Sequence, residues 1–107
     1  MENYLAVEIY RDNNPQSART IRVSMHNGLL SMELHDVGPL VERFCGDSDY
    51  ERSLFNINVN DVKKALGIED DHAIIAAIKV KFGVNSGFNQ FTEFLNEKGI
   101  AYQLASY

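Results

Sequence analysis

Asp47, Asp49 and Glu51 place three carboxylates at alternate positions of a polar segment. This is the spacing of the first ligands of a calcium-binding loop, which also needs glycine at its sixth position and glutamate at its twelfth. Arg52 and Asn58 occupy those two positions, so the pattern does not favour calcium. Paired carboxylates act as general acid and base only when burial raises the pKa of one of them. Because a polar segment keeps them ionised, we predict no metal site and no catalytic pair here, and expect a solvated loop or a protein-contact surface.

The other side chains that could react or bind a metal give weaker signals. His26, His35 and His72 lack the close spacing of metal ligands and are interpreted as surface histidines. Cys45 is the only cysteine, which excludes an intramolecular disulfide and favours a small buried side chain at a helix end. Segment 83–87, before a predicted helix, could hold an anion on backbone N–H groups, but it lacks the lysine and glycine spacing of a P-loop. We expect a capped helix start there and predict no cofactor.

The net charge of the chain is concentrated in one window. Residues 33–51 carry six acids and one base, a sum of −5; the remaining residues balance at nine acids and nine bases, so the chain total is also −5. Such a negative field attracts cationic protein surfaces and repels nucleic acid. We predict that this window binds a cationic protein partner through Asp47, Asp49, Tyr50 and Glu51, with Asp36 and Glu42 as rim charges.

Composition limits the class of protein. With 107 residues, of which 45% are hydrophobic and 23% charged, the chain has the size and composition of a single domain, residues 1–107. No apolar run approaches the roughly 18 residues of a membrane span, and Glu2 stands where a signal peptide needs positive charge. We expect a cytoplasmic protein with no membrane partner and, because Lys and Arg do not cluster, no nucleic-acid partner.

Apolar residues recur with period two in three segments of the first third of the chain, which predicts three strands. The dipeptide Asn27-Gly28 between the second and third segments is a hairpin signal and should pair His26 near Leu29. A fourth strand is predicted over 54–59, and weak alternation over Ile100–Tyr107 predicts a fifth. The alternating residues are Leu5, Val7 and Ile9; Ile21, Val23 and Met25; Leu30, Met32 and Leu34; and Phe55, Ile57 and Val59.

Helical periodicity predicts three or four helices. Residues 39–46 would form a short one that starts at a proline. Asn60 and Ser86 should cap two others, and another should begin near Glu69-Asp70-Asp71, whose carboxylates suit a helix start. The expected apolar stripes are Ile74, Ile75, Ile78 and Phe82, and Phe88, Phe91, Phe94 and Leu95; the expected terminal glycines are Gly46, Gly67 and Gly99. These elements predict an α+β fold with a mainly antiparallel sheet of four or five strands and three or four helices packed on one face, in the order βββαβααα(β).

Three segments resemble those of a group of small stand-alone bacterial proteins with no established activity. They are Asp36-Val37-Gly38-Pro39, Gly46-Asp47-Ser48-Asp49-Tyr50-Glu51, and Phe94-Leu95 followed by Gly99-Ile100-x-Tyr102. The group has a similar Gly-Asp-Ser-Asp-Tyr-Glu core and Gly-Ile-x-Tyr ending, and the resemblance covers roughly residues 28–107. It implies no catalytic residue. This chain has Arg52-Ser53 where the group has an aromatic residue, and Tyr107 where the group has tryptophan.

The leading hypothesis is a non-enzymatic binding protein, an immunity or inhibitor protein, that uses its acidic surface against a cationic protein partner. Opposite charge accelerates association and suppresses wrong partners. One alternative is a small hydrolase that is metal-dependent or uses the same carboxylates. Another is a homo-oligomeric structural protein in which an edge strand at Ile100–Tyr107 pairs with another chain.

Overall fold

The structure is a computed structural model that describes residues 4–13, 18–38 and 49–106. Its elements are β1 (Tyr4–Asn13), β2 (Ala18–His26), β3 (Leu29–Val37), β4 (Asp49–Asn58), α1 (Val59–Leu66), α2 (Asp71–Phe82), α3 (Gly87–Lys98) and β5 (Gln103–Ser106). The strands form one antiparallel sheet in the order β1-β2-β3-β4-β5. The predicted α+β fold is confirmed, and the short helix predicted over 39–46 lies outside the described residues.

The turn at Asn27-Gly28 connects β2 to β3 as predicted. The two residues have φ values of 52° and 77°, the positive values that a two-residue type I′ turn requires. His26 pairs with Leu29, which confirms the expected register. Because a slip of one residue would exchange the two faces of a strand, this turn fixes which side chains of β2 and β3 face the helices.

One face of the sheet is packed against the described helices. Alternate residues of the strands are buried there in one hydrophobic cluster with the apolar stripes of α2 and α3, which are confirmed as predicted. The cluster includes Ile9, Ile21, Val23, Met25, Leu30, Met32, Leu34, Leu54, Ile57, Ile74, Ile75, Ile78, Phe82, Phe88, Phe91, Phe94 and Leu95. We name this the inner face. The opposite face, which no described helix covers, is the open face.

Strand β4 begins earlier than its apolar pattern suggested. It starts at Asp49, opposite Val37 of β3, and the expectation of a loop is therefore wrong for Asp49, Tyr50 and Glu51. The backbone of these three residues is held by pairing with β3, which overrides the weak intrinsic preference of Asp49 and Glu51 for strands.

A β-bulge interrupts the alternation of inward and outward side chains along β4. Leu54 and Ile57 both lie on the inner face, three residues apart, because the register shifts between them. Asn56 sits in the bulge with a φ of 58°, a left-handed conformation that asparagine tolerates. The predicted alternation of Phe55, Ile57 and Val59 is wrong, since Val59 is the first residue of α1.

The helices start close to the predicted residues, but the caps differ in part. Asn58 caps α1 where Asn60 was expected, and its Oδ1 accepts the Asn60 backbone N–H at 2.9 Å. Helix α2 begins in the predicted region near Glu69-Asp70-Asp71 and is capped by Asp70. Ser86 precedes α3, but its hydroxyl makes no capping bond to the backbone, so the cap expected there is wrong. None of the helices in the described ranges has the length and apolar character needed to cross a membrane.

The connection between α2 and α3 depends on close packing. A Cβ atom added at Gly87 would lie 1.8 Å from the backbone oxygen of Phe82, so no larger residue fits without a shift of the backbone. The tight link brings the rings of Phe82 and Phe91 to an edge-on contact with centroids 5.1 Å apart. Segment 83–87 therefore positions α3 over the inner face.

Candidate functional site

Polar side chains from four strands meet on the open face. Strand pairing places Arg22 directly opposite Glu33, and His35 directly opposite Glu51. Opposed side chains of an antiparallel pair have Cβ atoms about 5 Å apart, so these residues form two rows across the strands. The first row is Glu8, Arg22, Glu33 and Ser53, and the second is Arg11, Thr20, His35 and Glu51.

The two rows border a shallow cavity of about 490 Å³, which we name the open-face groove. Its lining residues are Arg11, Thr20, Arg22, Glu33, Leu34, His35, Glu51, Arg52 and Ser53. Four exposed charges separate by strand: Arg11 and Arg22 lie on β1 and β2, whereas Glu33 and Glu51 lie on β3 and β4. Glu8 of β1 is paired with Arg11, and Arg52 of β4 lies over the ring of Phe88 on the inner face. Since neighbouring strands are about 4.8 Å apart, the basic half and the acidic half are separated by roughly 10 Å.

The acidic half is open to solvent. The Glu51 Oε1 atom lies 3.6 Å from His35 Nε2, and the Glu51 side chain is 53% exposed. Glu33 is also exposed and takes part in no ion pair among the described residues. Glu33 and Glu51 are diagonal neighbours on adjacent strands, a relation that spans about 7–8 Å. A guanidinium or ammonium group placed between them would contact both carboxylates.

The basic half contains one arginine that is engaged and one that is not. Arg11 donates from Nη2 and Nε to Glu8 Oε1 at 2.8 and 3.1 Å. Arg22 is exposed and makes no hydrogen bond or ion pair with the other described residues, although Glu8 and Glu33 lie opposite it on either side. Its five N–H donors are therefore available to a carboxylate from outside the chain.

Asp36 differs from its predicted role as a rim charge. It faces the inner side of the sheet, is only 8% exposed, and accepts two hydrogen bonds from Arg19, each 2.8 Å long. These hydrogen bonds, opposed in part by burial, raise the pKa of Arg19. Arg19 also donates to the backbone oxygen of Asn85 at 3.0 Å. Asp36 thus joins the sheet to the link between α2 and α3 and is not free for a partner.

The other predicted contact residues lie in different places. Glu51 is exposed in the groove. Asp49 and Tyr50 lie at the start of β4. Asp47 and Glu42 lie outside the described residues, as does Cys45.

Sequence reasoning did not select Glu33, Arg22 or Arg11 as a site. The signal was present for Arg22 and Glu33, which are polar residues at outward positions of predicted strands. Arg11 falls on the apolar side of the predicted alternation and reaches the open face because the register shifts between Glu8 and Tyr10. What the sequence did not show is that the outward positions of four strands lie side by side in rows.

The contact between His35 and Glu51 is that of an ordinary surface pair. Its 3.6 Å separation is longer than a hydrogen bond, and both side chains lie on an open surface where water competes. Within the described ranges, no three His, Cys, Asp or Glu side chains are grouped to hold a metal ion.

No protein family, no curated protein and no solved structure matches this chain. The fold and the open-face groove are therefore the observations on which a function can be argued.

Proposed function

We propose that this protein is a non-enzymatic binding protein that holds a cationic segment of a partner protein in the acidic half of the open-face groove, as an immunity or inhibitor protein holds its target. The observation that carries the proposal is the pair Glu33 and Glu51. Both carboxylates are exposed, they come from adjacent strands, and their backbone positions are fixed by the sheet. A rigid backbone reduces the ordering cost of binding.

The groove favours a partner segment that carries both signs of charge. A lysine or arginine would lie between Glu33 and Glu51, and an acidic group roughly 10 Å away would meet Arg22. Such a pattern rejects a uniformly basic partner, because Arg11 and Arg22 repel further cations. This refines the expectation of a cationic partner based on net charge.

The acidic residues on the N-terminal side of Glu51 have a second role in the proposal. Asp49 and Tyr50 begin β4 next to Glu51, and Asp47 precedes them in the sequence, so a partner seated on Glu51 would approach them. Their charges would raise the rate of encounter more than the final affinity. Asp36 is left out of the contact set because Arg19 occupies its carboxylate.

The experiment starts from a partner captured on the wild-type chain from native lysate and identified by mass spectrometry. The association rate of the purified partner is then measured with the wild type and with the Glu33→Gln, Glu51→Gln double variant, at low and at physiological salt. We expect the double variant to associate about five to ten times more slowly at low salt, with a weaker dependence on salt.

A matched control removes the same charge elsewhere. Glu93 and Glu97 are exposed on α3, away from the open face, and Glu93→Gln, Glu97→Gln should leave the association rate within about twofold of the wild type. Equal slowing by both double variants would mean that only net charge matters. No slowing by either would overturn the proposed site.

A further inference from the structure

The four exposed charges of the open-face groove are arranged so that a two-fold rotation exchanges the basic and acidic positions. In the first row Arg22 of β2 lies beside Glu33 of β3. In the second row Arg11 of β1 and Glu51 of β4 lie at opposite ends. An axis that runs along the strands, midway between β2 and β3, therefore places each arginine position over a glutamate position of the same row. The charge pattern of the groove is thus complementary to itself.

A second copy placed face to face about this axis would bring unlike groups together in both rows. Each pair would form twice, because a two-fold axis repeats every contact in the opposite sense. The contacts between the copies would be Arg22 with Glu33, Arg11 with Glu51, Glu8 with Ser53, and Thr20 with His35. No position in the two rows would face a like charge, so the pattern specifies one orientation of the second copy.

The other two-fold arrangement of two open faces is unfavourable. An axis that crosses the strands would place the basic half of one copy over the basic half of the other. Arg11 and Arg22 would then meet the same arginines of the second copy, and Glu33 and Glu51 would meet the same glutamates. Such like-charge contacts oppose binding, so only the axis along the strands matches the charges.

The shape of the open face also permits this contact. Sheets that pack face to face lie about 10 Å apart with their strands within about 30° of each other, and an arginine and a glutamate that extend from opposite sheets can meet across that distance. The outward residues beside the first row are small: Ala6, Ser24 and Ser31. Since no described helix covers this face, a second sheet can approach it.

We propose that the chain forms a weak two-fold symmetric dimer through its open face, with the basic half of each copy seated on the acidic half of the other. Water screens the charges of so polar an interface, and the net charge of −5 on each copy opposes association. The second copy occupies the acidic half that the proposed partner would use, so the two compete. The dimer does not rest on the proposed function, because it forms from the chain alone.

Sedimentation velocity of the chain alone, from about 1 µM to about 1 mM, tests the dimer, and we expect a dissociation constant of about 10 to 100 µM. Arg22→Glu and Glu33→Arg should each raise this constant at least about tenfold, because like charges then meet twice across the axis. An equimolar mixture of the two variants should return to within about threefold of the wild type. In the mixed dimer each substituted side chain faces the opposite charge on the other chain.

Matched controls make the same changes of charge on the helices. Lys64→Glu and Glu93→Arg, at exposed residues of α1 and α3, should each stay within about twofold of the wild-type dissociation constant. Thermal unfolding checks that every variant is folded. A wild type that stays monomeric up to about 1 mM, equal weakening by the helix variants, or a mixture that dimerises no better than the single variants would overturn the proposal. The association rate of the captured partner tests the proposed function separately.

Discussion

The two faces of the sheet each carry an arginine–carboxylate pair, but the pairs serve different purposes. On the inner face Arg19 and Asp36 form two parallel hydrogen bonds, and Asp36 is nearly buried. On the open face Arg11 and Glu8 form a comparable contact with both side chains in solvent. Solvent screens the Arg11–Glu8 pair, and water can replace either partner. The Arg19–Asp36 pair is less exposed, so fewer other groups can reach it. The inner pair is held inside the fold, and the charges of the open face stay accessible to solvent.

The two kinds of basic residue are divided between the strands and the helices. All five arginines lie within residues 11–52, and all five lysines lie within residues 63–98. The described arginines belong to strands and the lysines to helices. The planar fork of arginine suits carboxylates at a fixed position, whereas lysine at a helix end interacts favourably with the dipole and keeps its charge in water. Among the described arginines, Arg11 and Arg22 lie on the open face, whereas Arg19 and Arg52 contact the inner-face residues Asp36 and Phe88.

The largest effect is expected where the inner face packs most closely. Gly87→Ala should lower the free energy of unfolding by about 2–4 kcal/mol, because the new Cβ atom would overlap the backbone of Phe82. Gly67→Ala is the matched control: it has φ +68° with open space around the Cβ position, and should cost only about 1 kcal/mol. Urea unfolding of both variants measures the difference. Equal costs would show that the link between α2 and α3 adjusts easily.

The next largest difference is expected between the two ion pairs, in their effect on the free energy of unfolding. Asp36→Asn should lower the free energy of unfolding by about 1.5–3 kcal/mol, since it weakens charged hydrogen bonds at a nearly buried site. Glu8→Gln, on the open face, should change it by less than about 0.5 kcal/mol. Chemical unfolding at neutral pH checks both. A larger cost for Glu8→Gln would reverse the comparison between the faces.

Arg22 and Glu33 should be almost uncoupled in the free protein. They are opposed across β2 and β3 without forming an ion pair in the described structure, so a double-mutant cycle with Arg22→Gln and Glu33→Gln should give a stability coupling below about 0.5 kcal/mol. The cycle is measured by urea unfolding. A coupling above about 1 kcal/mol would mean that the two charges stabilise the sheet instead of serving a partner.

The smallest effect is expected from the acidic residues of segment 47–49, at and just before the start of β4. Asp47→Asn, Asp49→Asn should slow association with a captured partner about two- to threefold at low salt and leave stability unchanged, because these charges act at a distance. Stopped-flow or surface-based kinetics measures the rate. A larger decrease in association rate than that of the Glu33→Gln, Glu51→Gln variant would indicate that the site is centred on this segment and not on the groove.

Local chemistry in the sequence was enough to predict most elements. The turn at Asn27-Gly28, the cap at Asp70 and the stripes of α2 and α3 were all recognisable, since each depends on residues close together in the chain. The bulge at Asn56 was not, because its extra residue is defined only by pairing with β3. The same is true of the start of β4, where three polar residues form a strand because a neighbouring strand is present.

For the candidate site, the sequence by itself determined the types of charge and the outward position of Glu33, through the period-two pattern of its strand. It could not show that Asp36, which belongs to the same acidic window, turns inward to Arg19, nor that Arg22 and Glu33 face each other. Those relations join residues from different strands and are set by register. The sequence thus determined which groups are available, and the tertiary structure decided which of them are used inside the fold and which stay exposed to solvent.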